Sequence, residues 1–271
     1  MINDIIKKLE DNLSLHNINC KQYRLLDKQL KNYIEKNFIK YIDIKINNIN
    51  INLSNEIQGN YESKYLLTLH ELCLFSIYSL NRNNYVRFYD LGANIGLHSL
   101  VANAYGYKVE CYEPDPKTFS ILNKNTQIEK SINTHNKAIS LNISNKSFTR
   151  VLDNHTASGF SDMKDFYGIT EELEVKCESY SNLKIENAIV KVDIEGSEKE
   201  FIKYITNKKY SNSLFLLEIT NISSAKFLWD NKNLIQGDIL SQKSGWNKIK
   251  KIEDIPSNWR EGSVAICTKI S

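Results

Sequence analysis

Val86-Arg-Phe-Tyr-Asp-Leu-Gly-Ala-Asn-Ile-Gly-Leu-His-Ser-Leu100 is a short apolar run that breaks at a glycine turn and resumes with helical spacing. It predicts a buried strand, a tight loop and a helix, the opening unit of a nucleotide-binding α/β sheet. Gly92 and Gly96 let the backbone approach a ligand, and the helix beginning near Ile95 offers unpaired N–H groups. The spacing Asp-x-Gly-x-Asn-x-Gly lacks the third glycine of a dinucleotide site. Asp90, just before the turn, would repel a diphosphate and suits a cationic ligand group.

Outward from this unit, further apolar runs predict strands at Lys108 to Tyr112, Ile132 to Ala138, Ala188 to Asp193, Leu214 to Ile219 and Ser263 to Lys269. Separated by helical patterns, they imply a doubly wound, mostly parallel sheet covered on both faces. Residues 141–175 are rich in Ser and Asn and hold two or three possible edge strands, placed to cover a substrate. Upstream, apolar residues from Ile2 to about Phe38 recur three and four apart, which predicts amphipathic helices. Alternation around Asn47-Asn48 predicts a β-hairpin, and Ser63 to Leu80 another helix. The expected division is a helical and hairpin extension, 1–80, that caps the site or forms a dimer interface, followed by an α/β domain, 81–271.

Two more segments carry chemistry. Tyr112-Glu-Pro-Asp115 ends the second strand about twenty residues after the glycines, where Glu113 can accept both hydroxyls of a ribose. Alternatively, Glu113 caps the helix after Pro114. Lys191-Val-Asp-Ile-Glu-Gly-Ser-Glu198 brings Asp193 and Glu195 to the ligand-binding edge of the sheet, on one face because they lie two residues apart, and Glu218 ends the next strand at similar height. His155, in a polar loop, is a further candidate base, or simply a solvated imidazole. His98 reads as a packing or capping residue. The three acids could together hold a divalent cation, but their spacing does not require one.

The combination of residues 90–100, 112–115 and 191–198 resembles the FkbM family of methyltransferases, and the likeness extends over roughly 61–220. It implies a Rossmann-like class I methyltransferase fold that uses S-adenosyl-L-methionine (SAM), yields S-adenosyl-L-homocysteine (SAH), and O-methylates a sugar, nucleotide sugar, glycan precursor or related natural product, as in polysaccharide biosynthesis. By that resemblance Asp90, Gly92, Asn94 and Gly96 surround the methionine part, Glu113 and Pro114 the ribose, and Asn136 and Ala138 the adenine. Glu62 reaches the cofactor from the N-terminal side, while Asp193 serves as cofactor contact or base, beside Glu195 and His155 as candidate catalytic groups. The first sixty residues match nothing in the family pattern, and 141–187 match it loosely.

Composition narrows the field. At 271 residues, 41% hydrophobic and 25% charged, the chain can bury one sizeable core. Its net charge of +3 arises in the first fifty residues, where basic side chains are interspersed with acids along the amphipathic helices. A solvated face is expected there, not a nucleic-acid surface. An RNA methyltransferase is the competing enzymatic reading, and a non-catalytic SAM-binding module would show decayed glycines or acids, whereas all are intact. The five cysteines are too scattered for zinc, and with neither a leader nor a long apolar run in view, a cytoplasmic protein without a membrane span is expected.

Overall fold

The computed structural model describes residues 1–38, 40–54, 57–163, 165–207, 210 and 212–267. The side chain of Trp259, and Lys269 at the expected end of the last strand, lie outside the described residues.

Each N-terminal element buries the apolar stripe that its sequence carries. Helix α1 (Ile2–Asp11) turns Ile2, Ile5, Ile6 and Leu9 inward, and α2 (Lys21–Asn37) buries Leu26, Leu30 and Ile34. A 3-10 turn, Leu13–His16, follows α1, so the long helical pattern is two helices. Strands β1 (Tyr41–Ile46) and β2 (Ile49–Ser54) pair antiparallel around Asn47 and Asn48, whose φ values of 47° and 65° suit a primed turn. Two short strands follow, β3 (Ile57–Gln58) and β4 (Tyr61–Glu62). The helix expected over 63–80 is a 3-10 turn at Ser63–Leu66, then α3 (Leu69–Asn81). The break falls where Thr68 Oγ1 accepts the Glu71 N–H at 3.3 Å and caps α3.

The central domain begins with β5 (Arg87–Leu91), α4 (Leu97–Ala104), β6 (Lys108–Tyr112), α5 (Pro116–Thr126) and β7 (Ile132–His135). The expected strand from Ile132 to Ala138 is divided. After His135 the Asn136 amide donates to the carbonyls of Glu113 (2.9 Å) and Pro114 (3.1 Å), and the chain leaves the sheet. It then forms a second sheet from β8 (Ala138–Ser140), β9 (Ser144–Val151), β10 (Gly159–Phe160) and β11 (Thr170–Ser179), in the order β10-β9-β11-β8. The main sheet resumes with β12 (Ala188–Val192), α6 (Glu198–Thr206), β13 (Ser213–Glu218), α7 (Ile222–Asn231), β14 (Asp238–Ser241), β15 (Asn247–Lys248) and β16 (Ser263–Cys267).

Its order is β15-β14-β16-β13-β12-β5-β6-β7. From β13 to β7 the neighbours are parallel, while β16 runs antiparallel to β13 and β14. This is a doubly wound, Rossmann-like α/β fold, and the winding reverses between β5 and β12. One face packs Phe88, Val109, Ile189 and Leu216 into a single apolar cluster with α3, α4 and the whole N-terminal extension. The other packs Tyr89, Val190, Phe215 and Val264 against α6 and α7.

His16 ties the extension to the C-terminal part. It is fully buried, with Nδ1 2.7 Å from Trp246 Nε1 and Nε2 3.1 Å from the Leu9 carbonyl. An indole N–H only donates and a carbonyl only accepts, so the ring is neutral with its hydrogen on Nε2. Burial pushes its pKa down to about 4, from 6.5. The unfolded chain therefore binds a proton that the folded chain refuses, and stability present above pH 6.5 is lost as pH falls toward 4, by roughly 3 kcal/mol. Urea unfolding at pH 7.5 and pH 4.5 should give a steeper loss for the wild type than for His16→Gln; equal losses would remove His16 as the cause.

Candidate active site

The parallel strands deliver their C-terminal ends to one edge, and a cavity of about 810 Å³ opens there. At the point where the winding reverses, the turns after β5 and β12 touch. A Cβ on Gly92 (φ 83°) would lie 1.8 Å from the Asp193 carbonyl oxygen, and the Asp193 N–H donates to the Leu91 carbonyl at 3.0 Å. The N–H groups of Gly92 and Ala93 donate to the Tyr112 carbonyl at 3.0 and 2.9 Å, which ties the same turn to β6. Asn94 takes a positive φ of 49° beside them.

Glu113, directly after β6, lines the cavity and is 7% exposed. Its carboxylate accepts the N–H groups of Asn94 and Asp115, both at 2.9 Å. Burial, offset in part by those donations, pushes its pKa up to about 8. Beside it, the second sheet contributes Ala138, Phe148, His155 and Phe160 to the cavity wall. Burial lowers the His155 pKa, and Asp115 and Arg150 are its nearest charged influences. Arg150, on β9, clasps Asp115 through Nε at 2.7 Å and Nη2 at 2.5 Å, with both side chains 3% exposed. This pair fastens the second sheet to the N-cap of α5.

Over β12 and β13 the cavity floor is a charge cluster. The Lys191 ammonium is buried 3.2 Å from Asp193 Oδ2 and 3.5 Å from Asp90 Oδ1. Burial alone would lower its pKa, but Asp193 and Asp90 outweigh burial and raise it. Glu218, open to the cavity but shielded from bulk water, is held well above the usual carboxylate range by burial and by Asp193, Glu71 and Glu195. Glu71, in the first turn of α3, behaves oppositely. Burial opposes its charge, yet His98, whose Nε2 is 2.8 Å away, and neighbouring His70 hold it down to about 2. His98 Nδ1 lies 2.8 Å from the hydroxyl of Tyr78, which can donate to a neutral imidazole or accept from a charged one. Glu195 lines the same region with φ 39°, a left-handed conformation that costs a non-glycine residue of order 1 kcal/mol.

Of the residues singled out in the sequence, Gly92, Asn94, Glu113, Pro114, Ala138, His155, Asp193, Glu195 and Glu218 line this one cavity. Four others lie beside it. Asp90 is fully buried, accepting the Ser99 hydroxyl at 2.7 Å and facing Lys191. Gly96 makes room for α5, since a Cβ there would sit 2.7 Å from Leu122 Cδ1. Asn136 braces the backbone behind Glu113, and the Glu62 carboxylate is 3.3 Å from Lys64 Nζ. His155 stands at the Glu113 end, with Asp115 and Arg150 as neighbours, while Asp193 stands beside β5 and β13. Sequence reasoning missed Glu71 and His70, which sit inside an apolar helix, and gave Lys191 no role. Among the described residues no three His, Cys, Asp or Glu side chains are grouped as metal ligands, and no helix is long and apolar enough to cross a membrane.

No protein-family model matches the chain. No curated protein matches it. Among solved structures the chain is similar to a precorrin-6y C5,15-methyltransferase from Geobacter metallireducens, at 11% identity and a TM-score of 0.33, over 57% of this chain and 68% of that one. It is also similar to the plantazolicin methyltransferase BpumL in complex with SAH, at 10% identity and a TM-score of 0.33, over 97% and 73% of the two chains. A third is a candidate RNA methyltransferase from Pyrococcus horikoshii, at 15% identity and a TM-score of 0.30, over 59% and 68%. These are distant likenesses, and the functional reading rests on the chain's own residues.

Breaking the Arg150–Asp115 clasp leaves a buried carboxylate without its partner. Arg150→Met should cost about 3–5 kcal/mol in chemical denaturation; a loss under 1 kcal/mol would mean that water reaches Asp115.

Proposed function

We propose that the chain is a SAM-dependent methyltransferase that transfers a methyl group to a hydroxyl of a sugar, nucleotide sugar, glycan precursor or related natural product. The observation that carries this reading is Glu113. It ends the second strand of the doubly wound sheet, faces a cavity of about 810 Å³ at the reversal of the winding, and adjoins a glycine turn whose backbone is exposed to that cavity. An acid in this position accepts ribose hydroxyls. The residues fit the group. Each Glu113 oxygen takes one backbone N–H, and two ribose hydroxyls donating to it would add to those bonds and draw its pKa down from about 8 toward the ionised form that accepts them. Gly92, Asn94 and Asp193 would flank the methionine part, with Asp90 and ionised Glu71 favouring its positive charge. Pro114, Ala138, Phe148 and Phe160 offer an apolar slot for a flat base.

When bound, SAM supplies a methyl group activated by its sulfonium. The protein's task is then alignment of the acceptor oxygen and removal of its proton. Asp193 takes that proton. Its carboxylate opens to the cavity beside Gly92, and Lys191 at 3.2 Å fixes its orientation. Glu195, held in its left-handed conformation on the following turn, orients the hydroxyl, and protonated Glu218 donates a hydrogen bond to the same ligand region. His155 contacts the nucleoside end as a neutral ring.

Calorimetric titration with SAH tests the cofactor. Wild type should bind saturably, Glu113→Ala should weaken binding at least tenfold, about 1.4 kcal/mol, and NAD should not bind. Binding of NAD without SAH would end the methyltransferase reading. The base is tested separately, because Asp193→Asn should lower kcat by about 100-fold or more, in the range of general-base catalysis. An unchanged kcat with a raised SAH Kd would reassign Asp193 to the cofactor.

A further inference from the structure

Measured across the sheet edge, the strand ends stand in the order β6, β5, β12, β13, β16. At a strand spacing of about 4.8 Å, Glu113 after β6 and the start of β16 are about 19 Å apart. The cavity spans this distance, from Glu113 to Glu218 and Arg260. The proposed cofactor accounts for the half over β5, β6 and the second sheet. The other half lies over β12, β13 and the start of β16, and the cavity wall also includes Tyr23, Asp27 and Lys31 of α2 and Tyr65 ahead of α3. Tyr23, Asp27 and Lys31 belong to the first sixty residues, which match no part of the family pattern.

We infer that this half is an acceptor subsite with an electrostatic filter: it takes an acceptor that bears no phosphate, and rejects phosphorylated and nucleotide-linked forms of the same compound. The inference rests on the proposed function for the presence of an acceptor, and on the following charges for its nature. Phosphate recognition calls for cations with donors to spare, or for an uncapped helix N-terminus. Here Lys31 lies 2.7 Å from Asp27, so its charge is already met. Lys191 is buried between Asp193 and Asp90. The first turn of α3 holds Thr68 as its cap and Glu71 as its acid, so its dipole is compensated. Asp90 and Asp193 share the single Lys191 ammonium and leave one negative charge over, Glu195 adds another, and Glu71 is met by His98 at 2.8 Å, so that Arg260 at the exposed rim is set against a small acidic surplus. A diphosphate placed over β13 would face a carboxylate-rich floor in a cavity shielded from bulk screening, where repulsion is strong. Glu218, which burial and the neighbouring acids push toward its neutral form, and the Tyr23 phenol both line the cavity and instead offer hydrogen-bond donors to uncharged oxygen.

The full chain should be assayed with radiolabelled SAM against matched sets of methyl hexosides, hexose phosphates and UDP- or GDP-hexoses. Neutral acceptors should exceed their phosphorylated counterparts at least tenfold in kcat/KM. Asp27→Ala releases Lys31 from its partner on the surface of α2, and should raise kcat/KM for the phosphorylated acceptors at least threefold while SAH affinity stays within twofold. A second arm needs no turnover: pyrophosphate, titrated calorimetrically, should not bind the wild type below 5 mM. Equal or better turnover of nucleotide-linked sugars, a discrimination unchanged by Asp27→Ala, or submillimolar pyrophosphate binding competed by hexose phosphate would each overturn the filter. Loss of SAH binding would instead overturn the cofactor reading, and the pyrophosphate arm would still decide the filter.

Discussion

Two turns meet at the reversal of the sheet, and their contact has no slack. Gly92 lies against the Asp193 carbonyl so closely that a single added carbon would sit 1.8 Å from it. The Asp193 N–H reaches back to Leu91 and the Gly92 N–H across to Tyr112. Three strand ends are thereby locked at one height, and the side chains that follow them, Asn94, Glu113 and Asp193, converge on one cavity. In an open parallel sheet the crevice at such a reversal exists because successive crossovers depart to opposite faces. Here the close backbone contact keeps that crevice narrow at its base and lets the cavity widen above it.

That geometry concentrates acids, and the molecule manages them with few cations. Lys191 stands between Asp90 and Asp193, so one buried ammonium answers two strands. Burial pushes Glu218 toward its protonated form, and so does the negative charge of Asp193, Glu71 and Glu195 beside it. Glu71 can remain ionised because His98 stands at 2.8 Å and is itself held by the Tyr78 hydroxyl. Neighbouring carboxyl groups on one floor are thus shifted in opposite directions for identifiable local reasons. A site with both a buried acid and a buried carboxylate can donate and accept hydrogen bonds without importing a metal.

How much of this was legible in the sequence follows from the kind of signal each feature leaves. The main sheet was legible because its strands are apolar on both faces and the turn after β5 needs glycine. Asn47-Asn48 disclosed the hairpin because few residue pairs accept two positive φ values. The acids at 113, 193, 195 and 218 could be placed because strand ends in this topology share an edge. The exit of the chain after His135 was not legible, since it depends on the Asn136 amide finding the Glu113 and Pro114 carbonyls, 23 and 22 residues away. Glu71 was hidden too: α3 is buried nearly all round and shows no polar face to mark the one that borders the cavity. Lys191 reads as an interruption in an apolar strand until the register places it beside Asp90.

The two sides of the cavity are also fastened by unlike devices, which bears on how such a site can vary. At the Glu113 end, the Arg150–Asp115 clasp pins the second sheet to α5. Elsewhere, α1, α2 and the hairpin join the sheet through a shared apolar cluster, with His16 bonded to Trp246 as a polar anchor. Neither fastening passes through the Gly92–Asp193 contact. Changes in α2 can therefore alter the far wall without moving the strand ends, and changes in β9 to β11 can alter the near wall likewise. Residues 86–115 and 188–198 are constrained by backbone contacts that few substitutions survive, whereas the walls are constrained by packing and paired charges that many can satisfy. That difference puts the tightest backbone constraints on the edge of the sheet and the looser ones on the cavity walls.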